Sequence, residues 1–198
     1  MSSTASQSAI TAEVTAAFKN EPYPGDANLV YDNTGFHLAC IKVRDAFKSH
    51  LWQEMPDDVL STERTALSFM SKEGFKYYLP AFMCSLLKDN SVVDKGISLV
   101  VRMLKLPTEM DLAVIAEKIQ RFEAVGELPD IELNEVLQNQ LVQTNTEINA
   151  FIARASQFSR VQGRAIHHFL AYTRDEYGDE FLSAEADLAI QRYWFQFA

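Results

Sequence analysis

Glycine and proline are scarce in this chain, seven and six in 198 residues. A fold made of many short strands spends those residues on its turns, so their scarcity argues for long helices. Cysteine is scarcer. Cys40 and Cys84 stand alone in apolar stretches with no CxxC spacing, which reads as two free thiols in a reducing compartment. No apolar run approaches the roughly 20 residues needed to cross a bilayer. Residues 1–9 are small and polar, without the basic and apolar regions of a secretory signal, and read as a flexible tail. The expected location is the cytoplasm, away from membranes. Positive charge is also in deficit: the formal net charge is −9, which disfavours nonspecific binding to nucleic acid phosphates.

Catalytic signatures are missing as well. No HExxH, Cys/His cluster or EF-hand loop occurs, so neither a metal nor another cofactor is expected. His167 and His168 are neighbours and on a helix point about 100° apart, which prevents chelation from one face. GxSxG, SxxK, GxxxxGK[ST] and GxGxxG are absent. Carboxylates do pair, Glu132 with Glu135 and Asp175 with Glu176 and Asp179. The Glu-x-x-His partner of helical di-metal sites is lacking, however, and a solvated acidic face accounts for them. The residues therefore lean away from an enzyme, although a site assembled from scattered residues leaves no motif.

What is present is the composition of a folded protein, 47% hydrophobic and 23% charged. Helical periodicity recurs along most of the chain. Ile10, Val14, Ala17 and Phe18 share a face. Residues 20–35 read as a long loop punctuated by Pro22–Tyr23–Pro24–Gly25 and Asp32–Asn33–Thr34–Gly35. A helix is predicted over 36–49, burying Leu38, Ile41, Ala46 or Val43, and Phe47, and another from Pro56 that continues through Ser61–Met70. Ser71–Gly74 reads as a turn, Gly74–Leu79 as an extended run, and Pro80 as the first residue of a helix carrying Phe82, Met83, Leu86 and Leu87. Val93, Ile97, Val100 and Leu104 form the next stripe, stopped by Pro107. Thr108 caps a predicted helix ending near Gly126, and Asp130 opens a segment to Phe158 that is either one long helix or broken near Thr144–Thr146. Ser159 with Gln162 makes a capping box, and Ser183 is expected to cap the last helix. The fold class is all-α, a single globular domain over 10–198 with about seven or eight helices.

Two features stand out as candidate sites. The first is aromatic: Trp52, Tyr77 and Tyr78 lie near His50 and Glu73 in sequence. Core packing explains such a run, and a ligand pocket with acid–base help from His50 or Glu73 is the functional alternative. The second is charge. Residues 107–147 hold nine acids, among them Glu117, Glu123, Glu127, Glu132 and Glu135, against Lys118 and Arg121. That stretch carries −7 of the net −9. A solvated hairpin explains it, and a docking surface for a basic partner is the functional alternative.

Trp52 followed by Pro56, the pair Ala66–Leu67, and the block Gly74-Phe75-Lys76-Tyr77-Tyr78-Leu79-Pro80-Ala81-Phe82 resemble a bacterial family known only as a domain of unknown function. The capped helix from Phe158–Ser159 to Phe169–Leu170 is similar to that family's C-terminal helix. The resemblance implies a small bacterial cytoplasmic protein and assigns no ligand or catalytic residue.

The function these readings favour is a noncatalytic protein-interaction module, in its sharper form an immunity- or antitoxin-like protein with the acidic residues as its docking surface. A small-ligand binder or enzyme with a pocket around Trp52, Tyr77 and Tyr78 is the alternative. Tyr193, Trp194, Phe195 and Phe197 make the C-terminus too apolar to stay solvated. It docks within its own domain or across a homodimer, so the state expected is monomer or homodimer.

Overall fold

A computed structural model describes residues 6–88, 93–109, 111, 117, 133–176 and 180–198. The protein is all-α, with eight α-helices among the described residues. By spatial clustering the chain forms two compact units, Met1–Lys105 with Arg154–Ala198, and Leu106–Ala153.

In the first unit, α1 (Gln7–Phe18) starts three residues earlier than the periodicity suggested. Ser6 caps it, its hydroxyl accepting the Ala9 N–H, and Ile10, Val14 and Phe18 form its buried stripe. The loop that follows holds a 3-10 turn at Asp26–Asn28. Its two glycines, Gly25 and Gly35, adopt φ of 84° and 86°, a region that disfavours a side chain. Helix α2 (Leu38–Phe47) is shorter than predicted and keeps Val43 and Phe47 of the expected buried face. Its buried face is Cys40, Val43 and Phe47, while Leu38 stays 80% exposed. The reason is the cap: His37 Nδ1 accepts the Cys40 N–H, which fixes Leu38 at the first helical position, on the solvent side.

The helix predicted through Ser61–Met70 is interrupted. α3 (Asp57–Thr62) ends at Glu63, and a separate 3-10 turn covers Ala66–Ser68. The larger correction concerns Gly74–Leu79, which is helical and not extended. α4 (Lys72–Lys88) begins at Ser71, whose hydroxyl accepts the Gly74 N–H at 2.9 Å and whose carbonyl accepts from Phe75. The presumed turn Ser71–Gly74 is thus a cap and first helical turn. Pro80 sits inside the helix, where its missing N–H leaves the Lys76 carbonyl without the usual i+4 donor. Gly74 is required: a Cβ there would run into the Leu29 carbonyl. Leu29 and its neighbours lie against this cap, with an isolated antiparallel bridge between Val30 and Met70. A helix buried almost all round shows no amphipathic stripe, and α4 buries every residue from Tyr77 to Met83.

α5 (Val93–Leu104) buries Val100 and Leu104 of the predicted stripe, with Val101 beside them. α7 (Arg160–Glu176) has the predicted capping box. Ser159 Oγ accepts the Gln162 N–H at 3.2 Å, and Gln162 Oε1 accepts the Ser159 N–H at 3.0 Å. The Gln162 amide also donates to Glu21 at 2.7 Å, and Glu21 pairs with Lys76 at 2.9 Å, so three distant segments meet there. Ser183 is not a cap. α8 (Glu180–Arg192) already includes it, and its hydroxyl donates to the Arg174 carbonyl at the end of α7. α1 packs on α4 and α7, α7 on α8, and α5 on α4 and α8. Lys105 closes the α5–α8 contact by pairing with Glu185 at 2.7 Å.

The C-terminal residues dock on their own chain. Trp194, in a 3-10 turn at Trp194–Phe197, is fully buried and donates its indole N–H to the Leu104 carbonyl at 2.7 Å. Its ring meets Phe158 at 5.8 Å, and Phe158 meets Phe18 at 6.0 Å. Phe195 remains exposed.

The second unit contains most of α6 (Leu133–Ala155), which runs unbroken through Thr144–Thr146. Thr146 donates back to the Val142 carbonyl and Gln143 to Glu147, so the polar middle supports its own helix. Thr144 and Phe151 are buried and Ile148 half-buried, a narrow stripe at i, i+4, i+7. Leu141, Val142 and Ile152 are exposed. The helix predicted between Thr108 and Gly126 falls outside the described residues apart from Asp111 and Glu117. Its expected cap has an acceptor, since Asp111 receives both the Thr108 N–H and hydroxyl.

Candidate functional site

A cavity of about 140 Å³ opens in the first unit beside Trp52. Its apolar floor comes from Trp52 and Met55, Leu60 of α3 and Ala81 of α4; its rim from Thr11 and Thr15 of α1 with Asp57 and Lys88. Helical spacing explains both sides. Thr11 and Thr15 are four apart, and Ala81, Cys84 and Lys88 follow at i, i+3, i+7 along one face of α4. Trp52 is held by the 3-10 turn Trp52–Glu54 that precedes Pro56.

The polar groups of this cavity are mostly committed. Thr11 donates to the Gln7 carbonyl and Thr15 to the Thr11 carbonyl, both within α1. Because the Thr15 proton is used there, the Cys84 thiol donates to Thr15 Oγ1, 3.9 Å away. Burial pushes the Cys84 pKa up, which keeps the thiol protonated and a poor nucleophile. Asp57 accepts from Ser85 at 3.3 Å and faces Lys88 at 3.8 Å. One group has no such partner: the Trp52 indole nitrogen is buried and lacks a hydrogen bond among the described residues.

Of the aromatic candidates, only Trp52 lines the cavity. Tyr77 and Tyr78 are buried in the core beside it. The Tyr78 hydroxyl shares its proton between the Phe47 and His50 carbonyls, each at 2.8 Å, and its ring meets Phe47 at 5.0 Å. Tyr77 packs against Tyr23 and Tyr78 at 5.3 and 4.9 Å. Burial raises the pKa of both phenols. The Tyr78 hydroxyl is structural and ties α4 to the end of α2. Glu73 pairs with Lys72 at the start of α4, eight residues and about 12 Å of helix from Ala81, so it is not brought to the cavity.

His167 and His168 diverge as expected and both bridge elements. His167 Nδ1 donates to the Trp194 carbonyl at 3.1 Å, and His168 Nδ1 meets Glu13 at 2.7 Å. Among the described residues no group of three His, Cys, Asp or Glu side chains could hold a metal ion. No helix among them is long and apolar enough to cross a membrane.

Of the acidic candidates, Glu117 and Glu135 are exposed; Glu123, Glu127 and Glu132 lie outside the described residues. The stretch 107–147 falls wholly within the second unit.

Residues 7–128, more than half of the chain, match a family of unknown function, DUF6714. The chain belongs to that family. The matched span includes the Gly74–Phe82 block and the whole of α1 to α5, and with them every residue lining the cavity. It ends before the capped helix at Phe158–Leu170, so the likeness drawn there is outside what the family match covers. No curated protein and no solved structure matches the chain.

The cavity lining was not legible beyond Trp52. Thr11, Met55, Leu60 and Cys84 belong to four separate elements and share no motif. The nearest signal was the i, i+4 threonine pair on α1, which periodicity reads simply as a polar edge.

Proposed function

We propose that this DUF6714 member is a cytoplasmic, noncatalytic protein-interaction module whose acidic unit docks a basic protein partner. The observation that carries this reading is that the charge boundary and the fold boundary coincide. Residues 106–153 hold −7 of the net −9 and make up one compact unit. The described part of that unit supports it. α6 exposes Leu141 and Val142 with Glu135 and Glu147 on the same helix, an apolar patch with acidic neighbours of the kind interfaces use. In its sharper form the partner is a toxin whose basic active surface this unit masks, as an immunity protein or antitoxin does.

The test is affinity capture at low and high salt with the whole chain as bait. A basic protein should be retained at low salt and released as salt screens the contact. The triple charge reversal Glu123→Lys, Glu132→Lys, Glu135→Lys should abolish retention while leaving the helical circular dichroism unchanged. Retention that ignores both salt and charge reversal would remove the acidic docking surface from consideration.

A further inference from the structure

We propose that the solvent face of α2, with the loop that leads into it, is a dimer interface at which α2 packs antiparallel on α2 of a second copy of this chain. Every residue it uses lies in the first unit, so it does not depend on the acidic docking surface.

The surface begins with three large side chains in solvent. Phe36 is 90% exposed, Leu38 80% and Tyr31 56%. Scattered exposed apolar residues are ordinary, whereas a contiguous group of them marks an interaction site. These three are contiguous: the Tyr31 hydroxyl lies 3.0 Å from Nε2 of His37, the residue between Phe36 and Leu38. Nor are they exposed because the loop is loose. Asp32 Oδ1 accepts both the N–H and the hydroxyl of Thr34, Arg44 donates to Asn33 Oδ1 at 2.9 Å, and His37 caps α2. An apolar surface pinned in this way has little ordering left to lose on binding.

Charge selects the occupant. The chain carries −9, so two copies repel unless they meet where charge is balanced. Residues 31–48 hold Lys42, Arg44 and Lys48 against Asp32 and Asp45, a balance of +1. Leu38, Lys42 and Asp45 follow at i, i+4 and i+7 and are all exposed, so they share the outward face of α2. With a two-fold axis between residues 43 and 44, an antiparallel partner sets each Lys42 opposite the copy's Asp45, and symmetry makes that pair twice. Both groups have capacity for it. Lys42 pairs with Glu63 at 2.7 Å, which leaves two of its three donors. Arg44 and Lys48 both bond Oδ1 of Asp45, which leaves Oδ2. The same register lays Phe36 and Leu38 over the far end of the copy's α2, beyond which Leu51 is half-exposed. The ten residues of α2 span about 15 Å, so the interface belongs to the small class that associates weakly.

Sedimentation equilibrium on the full chain tests this. The mass should rise from monomer toward dimer between about 1 μM and about 500 μM, the range of a small interface. Phe36→Ser together with Leu38→Ser should weaken the dimer at least about 10-fold. Both side chains are exposed, so the helical circular dichroism should not change. Lys42→Glu alone and Asp45→Lys alone should each weaken it about 10-fold, because each sets like charges face to face. Mixed together, these two variants should bind each other about as tightly as the unaltered chain binds itself, because every charge then faces its opposite. A chain that stays monomeric up to about 500 μM overturns self-docking and leaves the patch to a different protein. A dimer that survives Phe36→Ser with Leu38→Ser overturns the interface. Charge variants that do not recover each other, or an Asp45→Lys chain that dimerises more tightly, overturn the antiparallel register.

Discussion

The two compact units of this chain are held to opposite standards. The first is built on aromatic contacts: Phe18, Phe47, Phe75, Tyr78, Phe169 and Trp194 are all fully or almost fully buried, and the unit carries a balance of only −2. The second carries −7 over 48 residues, and its described helix α6 buries little more than Thr144 and Phe151 while leaving Leu141 and Val142 in solvent. Self-repulsion on that scale opposes compaction. The contrast teaches that most of the net charge lies outside the unit that holds the aromatic core. The first unit is organised by burial, while the described helix of the second leaves apolar side chains in solvent.

The comparison predicts a graded series of single substitutions, measured by urea denaturation. Trp194→Ala should be the most damaging, about 3–5 kcal/mol, through loss of a large buried ring and of the bond to Leu104. If it costs less than 1 kcal/mol, the aromatic cluster is not what holds the first unit together. Gln162→Ala should cost about 1–2 kcal/mol, since it removes half the capping box and one of the two donors to Glu21, leaving only Lys76. Gln162→Glu keeps the cap acceptor but sets a carboxylate against Glu21, so the repulsion should make it more damaging at neutral pH than at about pH 4.

A smaller effect is expected from pH. Burial holds the His167 pKa below its ordinary 6.5, with the bond to the Trp194 carbonyl working the other way. The folded chain therefore binds this proton less readily than the unfolded chain. The contribution is fully present above about pH 6.5, the unfolded value, and is lost as pH falls below it through the lowered pKa of the folded state. His167→Gln should flatten the decline of stability between neutral and mildly acidic pH; an identical slope in the variant would assign the decline to other groups. Smallest of all should be Val142→Ser in α6, within about 0.5 kcal/mol of zero, because Val142 is exposed. A loss comparable with that of Trp194→Ala would break the contrast between the units.

The parts of the fold legible in the sequence were those fixed locally. The Ser159–Gln162 box, the Val100–Leu104 stripe and the glycine turns each depend on residues a few positions apart. α4 was misread for a physical reason. Tyr77 to Met83 are buried on every side, which erases the 3.6-residue period, and Pro80 resembles a helix start when nothing shows that the helix is already running. The exposure of Leu38 in α2 has the same character: His37 caps the helix through a ring nitrogen, an uncommon choice that the preferred cap residues do not announce. Ser183 had the sequence of a cap and found a carbonyl of the preceding helix instead. For the candidate sites, Trp52 was legible as an unusual residue and Tyr77 and Tyr78 as its companions. Only the three-dimensional arrangement separates the wall of a cavity from the core behind it. The acidic stretch was legible as a run of charge, and its coincidence with a compact unit was not.

The first unit is assembled from two stretches of chain with the whole of the second unit between them. During synthesis Ile10, Val14 and Phe18 leave the ribosome long before α7 and Phe158, against which α1 closes. At ordinary elongation rates the 71 residues from Leu106 to the end of α7 at Glu176 take about 4–14 s, and for that interval α7 is not there to cover the apolar face of α1. Newborn chains should therefore depend on holdase chaperones until α7 has been made, and a stall anywhere in the acidic stretch should yield an aggregation-prone nascent chain.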